Sequence, residues 1–109
     1  NYLFDSVPAT LIKVNVLGGE TISNVAFRNC NKIQVITLPN TLKYIEVEAF
    51  KNCSSLVDIT IPSSVLKVSQ AAFDGCNKYL LIQIDNLESE TSRWDDGWNP
   101  DNLEVKFLK

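Results

Sequence analysis

Three Ala-Phe-x-x-Cys motifs recur at a fixed interval: Ala26-Phe27…Cys30, Ala49-Phe50…Cys53 and Ala72-Phe73…Cys76. Each step is 23 residues, from 30 to 53 and from 53 to 76. A constant period of this length marks a solenoid, in which each repeat hides its apolar side only against its neighbours. Two further columns carry the period past the cysteines. Ile36, Ile59, Ile82 and Val105 lie 23 apart, as do Leu38, Ile61, Ile84 and Phe107, and Val14 and Val16 join them with a step of 22. About five rungs follow. In each, an i, i+2 apolar pair turns two side chains to the same side of a short extended segment. Such rungs pair as parallel strands about 4.8 Å apart, and the rest of each repeat supplies the long crossover that parallel pairing requires.

The crossovers have columns of their own. Pro39 and Pro62 follow the last strand residues and close them, because proline offers no N–H to a ladder. Ile22, Ile45 and Val68 form a second apolar column, with Leu42 and Val65 a weaker third. The Ala-Phe pairs predict irregular or short helical or 3₁₀ turns on the convex side, each ring plugging the space between the walls. Asn29, Asn52 and Gly75 precede the cysteines and share a tolerance of positive φ, so this column ends the turn in a left-handed conformation. Asn31, Ser54 and Asn77 come next, residues suited to bonding freed backbone groups.

The pattern A-F-x-N/G-C-x-x-L-x-x-I-x-I-P-x-S/T-V/L-x-x-I resembles the BspA-like class of leucine-rich repeats. The match is closest from Ala49-Phe50-Lys51-Asn52-Cys53 through Ile59-Thr60-Ile61-Pro62 to Val65, and extends from about Leu11 to Ile84. Leu3-Phe4 and Val7-Pro8-Ala9-Thr10-Leu11, followed by Gly18-Gly19, look like a variant repeat of the same kind. Members of that family are mostly large secreted or surface-attached proteins of bacteria and some protozoan parasites. The resemblance implies adhesion, with a protein or glycan ligand that it does not name, and a location at the cell surface or outside the cell. A fold of this kind hosts many partners, so it does not choose between a binding module and a spacer that displays other modules, for which an intracellular location stays open.

Length and charge narrow the classes. The chain of 109 residues reads as one leucine-rich-repeat solenoid domain over 1–109, with an atypical capping repeat over 85–109. It begins without methionine and in mid-repeat, and is expected to be an excerpt of a longer polypeptide. The apolar runs are too short to span a membrane, so no insertion by this segment is expected. Ten basic and 13 acidic residues leave a net charge of −3 with no basic block, which excludes the electrostatic footprint of a nucleic-acid binder. A monomer is favoured.

The cysteines invite chemistry, but the chain has no histidine. That removes Cys–His and Ser-His-Asp catalysis, and no C-x-x-C spacing points to zinc. No cofactor, metal or catalytic residue is expected, and the chain does not read as an enzyme. Val7 stands near the equivalent place upstream, so the slot accepts a plain apolar group; the three thiols are expected buried and reduced in one column. The segment Trp94-Asp95-Asp96-Gly97-Trp98-Asn99-Pro100-Asp101-Asn102 breaks the repeat. By register Trp94 falls in the column of Ala71 and Trp98 in that of Gly75. Its aspartates lack the D-x-D-x-D-G alternation of a calcium loop, and its rings are suited to closing the end of the core. It also resembles the W-x-x-x-W-N-P stretches of BspA-like proteins.

The residues between the inward strand positions are the candidate partner-binding face. Val35, Asp58 and Leu81 make one row, and Asn15, Thr37, Thr60, Gln83 and Lys106 a second. Solenoids bind extended partners on such a face.

Overall fold

The computed structural model describes residues 12–109, so the variant repeat expected around Leu3, Phe4 and Val7 lies outside the described residues. Eight short strands carry the architecture: β1 (Lys13–Asn15), β2 (Thr21–Ile22), β3 (Val35–Thr37), β4 (Tyr44–Ile45), β5 (Asp58–Ile61), β6 (Lys67–Val68), β7 (Leu81–Ile84) and β8 (Glu104–Phe107). Five of them form one parallel sheet in the order β1-β3-β5-β7-β8. Its register is the periodic one: Val14 lies opposite Ile36, Ile36 opposite Ile59, Ile59 opposite Ile82 and Ile82 opposite Val105. The stack measures 41 × 27 × 23 Å along its principal axes. It is a leucine-rich-repeat-like solenoid with a period near 23.

The column of Ile22, Ile45 and Val68 is more than an apolar stripe. It is the inward side of a second parallel sheet, β2-β4-β6, made of two-residue strands. The rungs that begin with β1, β3 and β5 therefore have strand on two sides, and the Ala-Phe arm forms the third.

The arm is not helical. In it, alternate N–H groups point in different directions. Those of Ala26, Arg28 and Cys30 close tight turns within the rung, onto Ser23, Val25 and Phe27. Those of Val25, Phe27 and Asn29 reach along the stack to the carbonyls of Val47, Ala49 and Lys51. The next rung repeats this, with Glu48, Phe50 and Asn52 donating to Gln70, Ala72 and Asp74. Such alternation requires two left-handed residues per arm. Asn29 (φ 63°), Asn52 (61°) and Gly75 (72°) are the expected ones; Val25 (54°), Glu48 (56°) and Ala71 (57°) are a second column that side-chain type does not announce. A helical turn would aim every N–H within its own segment and leave the neighbouring rung unbonded.

Packing follows the same ladder. Phe27 and Phe50 stack face to face with centroids 5.5 Å apart, as do Phe50 and Phe73 at 5.3 Å. Phe50 and Phe73 are fully buried, together with Ile45, Ile59, Ile61, Val68, Ile82 and Ile84 from the two sheets. One column steps aside. Ile33 and Leu56 are buried, but Tyr79, their periodic successor, is 75% exposed and Leu80 takes the inward place. The Asn77 carboxamide accepts from the Tyr79 N–H at 2.8 Å, an Asx turn that delays the chain by one residue before β7.

Candidate functional site

The open face of the five-stranded sheet presents the two predicted rows. Pairing aligns Lys13, Val35, Asp58, Leu81 and Glu104 in the first row. In the second, Asn15 stands beside Thr37, and Gln83 between Thr60 and Lys106. Asn15, Thr37, Thr60 and Lys106 are exposed, whereas Val35, Asp58, Leu81 and Gln83 are half-buried by their neighbours. The rows are tied diagonally, since the Gln83 amide donates to Asp58 Oδ1 at 3.0 Å. Between Val35, Thr37, Asp58 and Thr60 lies a shallow depression of about 270 Å³. Pro62 and Asp85 complete its rim. Asp85 escaped the sequence reading because it follows the last inward residue of its strand. It is the periodic successor of Pro62 (62 plus 23), which would have placed it. Lys109 Nζ lies 3.6 Å from Asp85 Oδ1.

The opposite arm surface is spent on holding rungs together. Arg28 pairs with Glu48 (3.6 Å), Glu48 with Lys51 (3.1 Å) and Lys51 with Asp74 (3.7 Å), a chain of alternating charge across three rungs. Its hydrogen bond to the Glu48 carboxylate holds the Lys51 ammonium above its usual pKa. Asn52 Nδ2 donates to Asn29 Oδ1 at 3.0 Å, extending the ladder to side chains. A Cβ at Gly75 would collide with the Asn52 carboxamide as it stands, so a side chain at this position would have to displace that amide.

The cysteines bond backbone. Cys53 Sγ donates to the Phe27 carbonyl and Cys76 Sγ to that of Phe50, both at 3.1 Å. Those carbonyls already accept from Cys30 and Cys53 N–H within their own rungs, so each takes two donors. All three thiols are free. Cys30 and Cys53 are buried as expected, but Cys76 is only half-buried. The neighbouring Cys76 sulfur and burial push the Cys53 thiol up, and burial does the same to Cys30.

The tail keeps the strand register and breaks the arm register. Leu81 still pairs with Glu104, a step of 23. Asp95 donates to the Val68 carbonyl, as Ser69 does to that of Ile45, yet 69 plus 23 is 92: the chain runs three residues late. Gly97 accepts from Ala71 as Gln70 accepts from Glu48, and 70 plus 23 is 93: four residues late. The arm is shortened to compensate, and Asn99 clamps it by bonding both N–H and C=O of Leu103 at 3.0 Å. The expected columns of the tryptophans are corrected accordingly. Trp98 stands edge-on against Phe73 with centroids 6.0 Å apart, and Trp94 edge-on against Trp98 at 5.1 Å. The aspartates take backbone work. Asp101 Oδ2 accepts from the Gly75 N–H at 2.8 Å, and Asp95 Oδ2 from the Gln70 N–H at 2.9 Å. Asp95 Oδ1 also lies 3.4 Å from Lys67 Nζ.

A stack of 23-residue parallel turns with one open sheet face defines a leucine-rich-repeat solenoid, a scaffold that is in general a non-catalytic interaction module. The family comparison makes this particular: the model of the BspA-type leucine-rich repeat region matches residues 1–93 in six copies, and the chain belongs to that family. The family is typically found at the surface of, or secreted by, bacteria. Comparison with curated proteins and with solved structures found no match. No helix among the described residues is long and apolar enough to cross a membrane.

Proposed function

We propose that this chain is a non-catalytic adhesive module of a cell-surface or secreted protein, gripping a protein or glycan partner on the open face of the five-stranded sheet. One observation carries the reading. The sheet aligns side chains of mixed chemistry in two rows around a depression of about 270 Å³, and the core needs none of them. The arm surface, by contrast, is committed to ion pairs and amide bonds between rungs. A partner on the sheet would meet hydroxyls at Thr37 and Thr60, a carboxylate at Asp58, an ammonium at Lys106 and apolar patches at Val35 and Leu81.

The test is a binding screen of the purified chain against extracellular-matrix proteins and a glycan array, repeated with Asp58→Lys and Lys106→Glu. The reading expects a retained partner whose binding weakens in both variants while the thermal midpoint of Lys106→Glu stays put. A partner that ignores both changes and responds to Arg28, Lys51 or Asp74 would move the site to the arm.

A further inference from the structure

A second cavity, larger than the depression on the sheet, lies elsewhere. It is a cleft of about 450 Å³ between the turn after β5 and the 3₁₀ turn Glu88–Thr91. The cleft exists because the repeat slips there. In the rung below, Thr41 Oγ1 donates to the Gly19 carbonyl at 2.8 Å. Its periodic successor, Ser64, has its Oγ buried with no partner, and the next member of the column is Leu87, half exposed. The hydroxyl ladder thus stops at the cleft. Only a long contact, Asn86 Nδ2 to the Ser63 carbonyl at 3.4 Å, spans the gap.

We propose that this cleft binds a carboxylate-bearing sugar, a uronic or sialic acid unit. Arg93 supplies a guanidinium without an ion-pair partner among the described residues, and a guanidinium fork matches a carboxylate with two parallel bonds. The hydroxyls of Ser63, Ser89 and Ser92 each donate and accept, as sugar hydroxyls do. Glu90 accepts from a vicinal hydroxyl pair and disfavours a doubly charged phosphate. Val65 and Leu66 offer an aliphatic wall to the C–H face of a ring. A cleft of this volume lies within the range of small-molecule sites. A simple amino acid would use Arg93 and Glu90 but leave the three hydroxyls idle, and a neutral sugar would leave the guanidinium unpaired. The site is separate from the sheet face and stands or falls independently of it.

Amide shifts in ¹H–¹⁵N spectra of the whole chain, titrated with N-acetylneuraminic acid, glucuronic acid, glucose and glycine, test the assignment. The acids should move the amides of Ser63, Ser89 and Ser92 saturably, one of them more tightly, while glucose and glycine do not. Arg93→Gln should weaken the preferred acid about tenfold or more, because the charge-assisted fork is lost. Arg93→Lys, which keeps the charge, should weaken it less but measurably. Asp58→Lys and Lys106→Glu should leave the titration unchanged. Absence of shifts with either acid well above millimolar concentration would overturn the proposal. So would glucose or glycine binding equally well, or an affinity indifferent to both Arg93 changes.

Discussion

The regular rungs and the tail solve the same problem in opposite ways. From Val25 to Asp74, each arm hands its N–H groups to the backbone carbonyls of the next arm, and each phenyl ring lies flat on the next. Beyond Gly75 the arm runs late and is shortened before β8, and it takes a different form. There, the Asp101 carboxylate takes from Gly75 a donor that a regular rung bonds with a carbonyl, the Asp95 carboxylate takes the Gln70 N–H, and Trp98 meets Phe73 with its edge. A flat ring extends the stack and exposes another flat face, whereas an edge-on ring ends it. The comparison teaches that a side-chain carboxylate can stand in for the carbonyl of a regular arm, as that of Asp101 does for the Gly75 N–H.

The largest effect should come from removing residues 94–109. Phe73, Ile82 and Ile84 would lose their cover, and the remainder should lose its cooperative thermal transition or aggregate. A sharp, unshifted transition in the truncated chain would deny the tail any closing role. Next, Phe50→Ala should cost about 3–5 kcal/mol in urea unfolding, since the ring is fully buried between two others. Trp98→Ala should cost less, because Trp98 is only partly buried. The reverse order would break the contrast between stack and end.

A smaller effect concerns pH. Cys30 and Cys53 have thiols held above their ordinary pKa, so the folded state keeps their protons where the unfolded chain gives them up. Their contribution is fully present below the unfolded thiol pKa of about 8.5 and declines as pH rises above it. Cys76, whose thiol is lowered by its contact with Cys53, acts in the opposite sense, so stability measured in urea should fall between pH 7 and 9.5 by less than Cys30 and Cys53 alone would give. Cys53→Ala should flatten that fall while lowering stability at neutral pH. The smallest expected effect is none: calcium should leave the thermal midpoint unchanged, because Asp95 and Asp101 are engaged with backbone N–H groups. A calcium-dependent rise would show that a cation competes successfully for those carboxylates.

What could be read in advance follows from which interactions are periodic. Burial of Ile36, Ile59 and Ile82 repeats with the chain, so a column of side chains announces the sheet. The left-handed conformations of Val25, Glu48 and Ala71 repeat too, but no side-chain preference marks them; the backbone bonds to the next arm impose them. Two-residue strands such as β2 are too short to show alternation. The one-residue delay at Tyr79 comes from a local bond of Asn77, and the slip before Asp95 from an insertion balanced by a deletion, which leaves the strand period intact and hides the change. The same slip opens the cleft beside Arg93, so the tail conceals what the regular rungs display.

Hydrogen exchange of three equivalent amides, Asn29, Asn52 and Gly75, tests most directly whether the tail stands in for a rung. The first two donate to backbone carbonyls of Lys51 and Asp74, the third to the carboxylate of Asp101, each at 2.8 Å. All three should be protected in the native chain, and Asp101→Ala should release Gly75 alone while Asn29 and Asn52 keep their protection. A Gly75 amide that exchanges freely in the native chain, or stays protected without the Asp101 carboxylate, would contradict it.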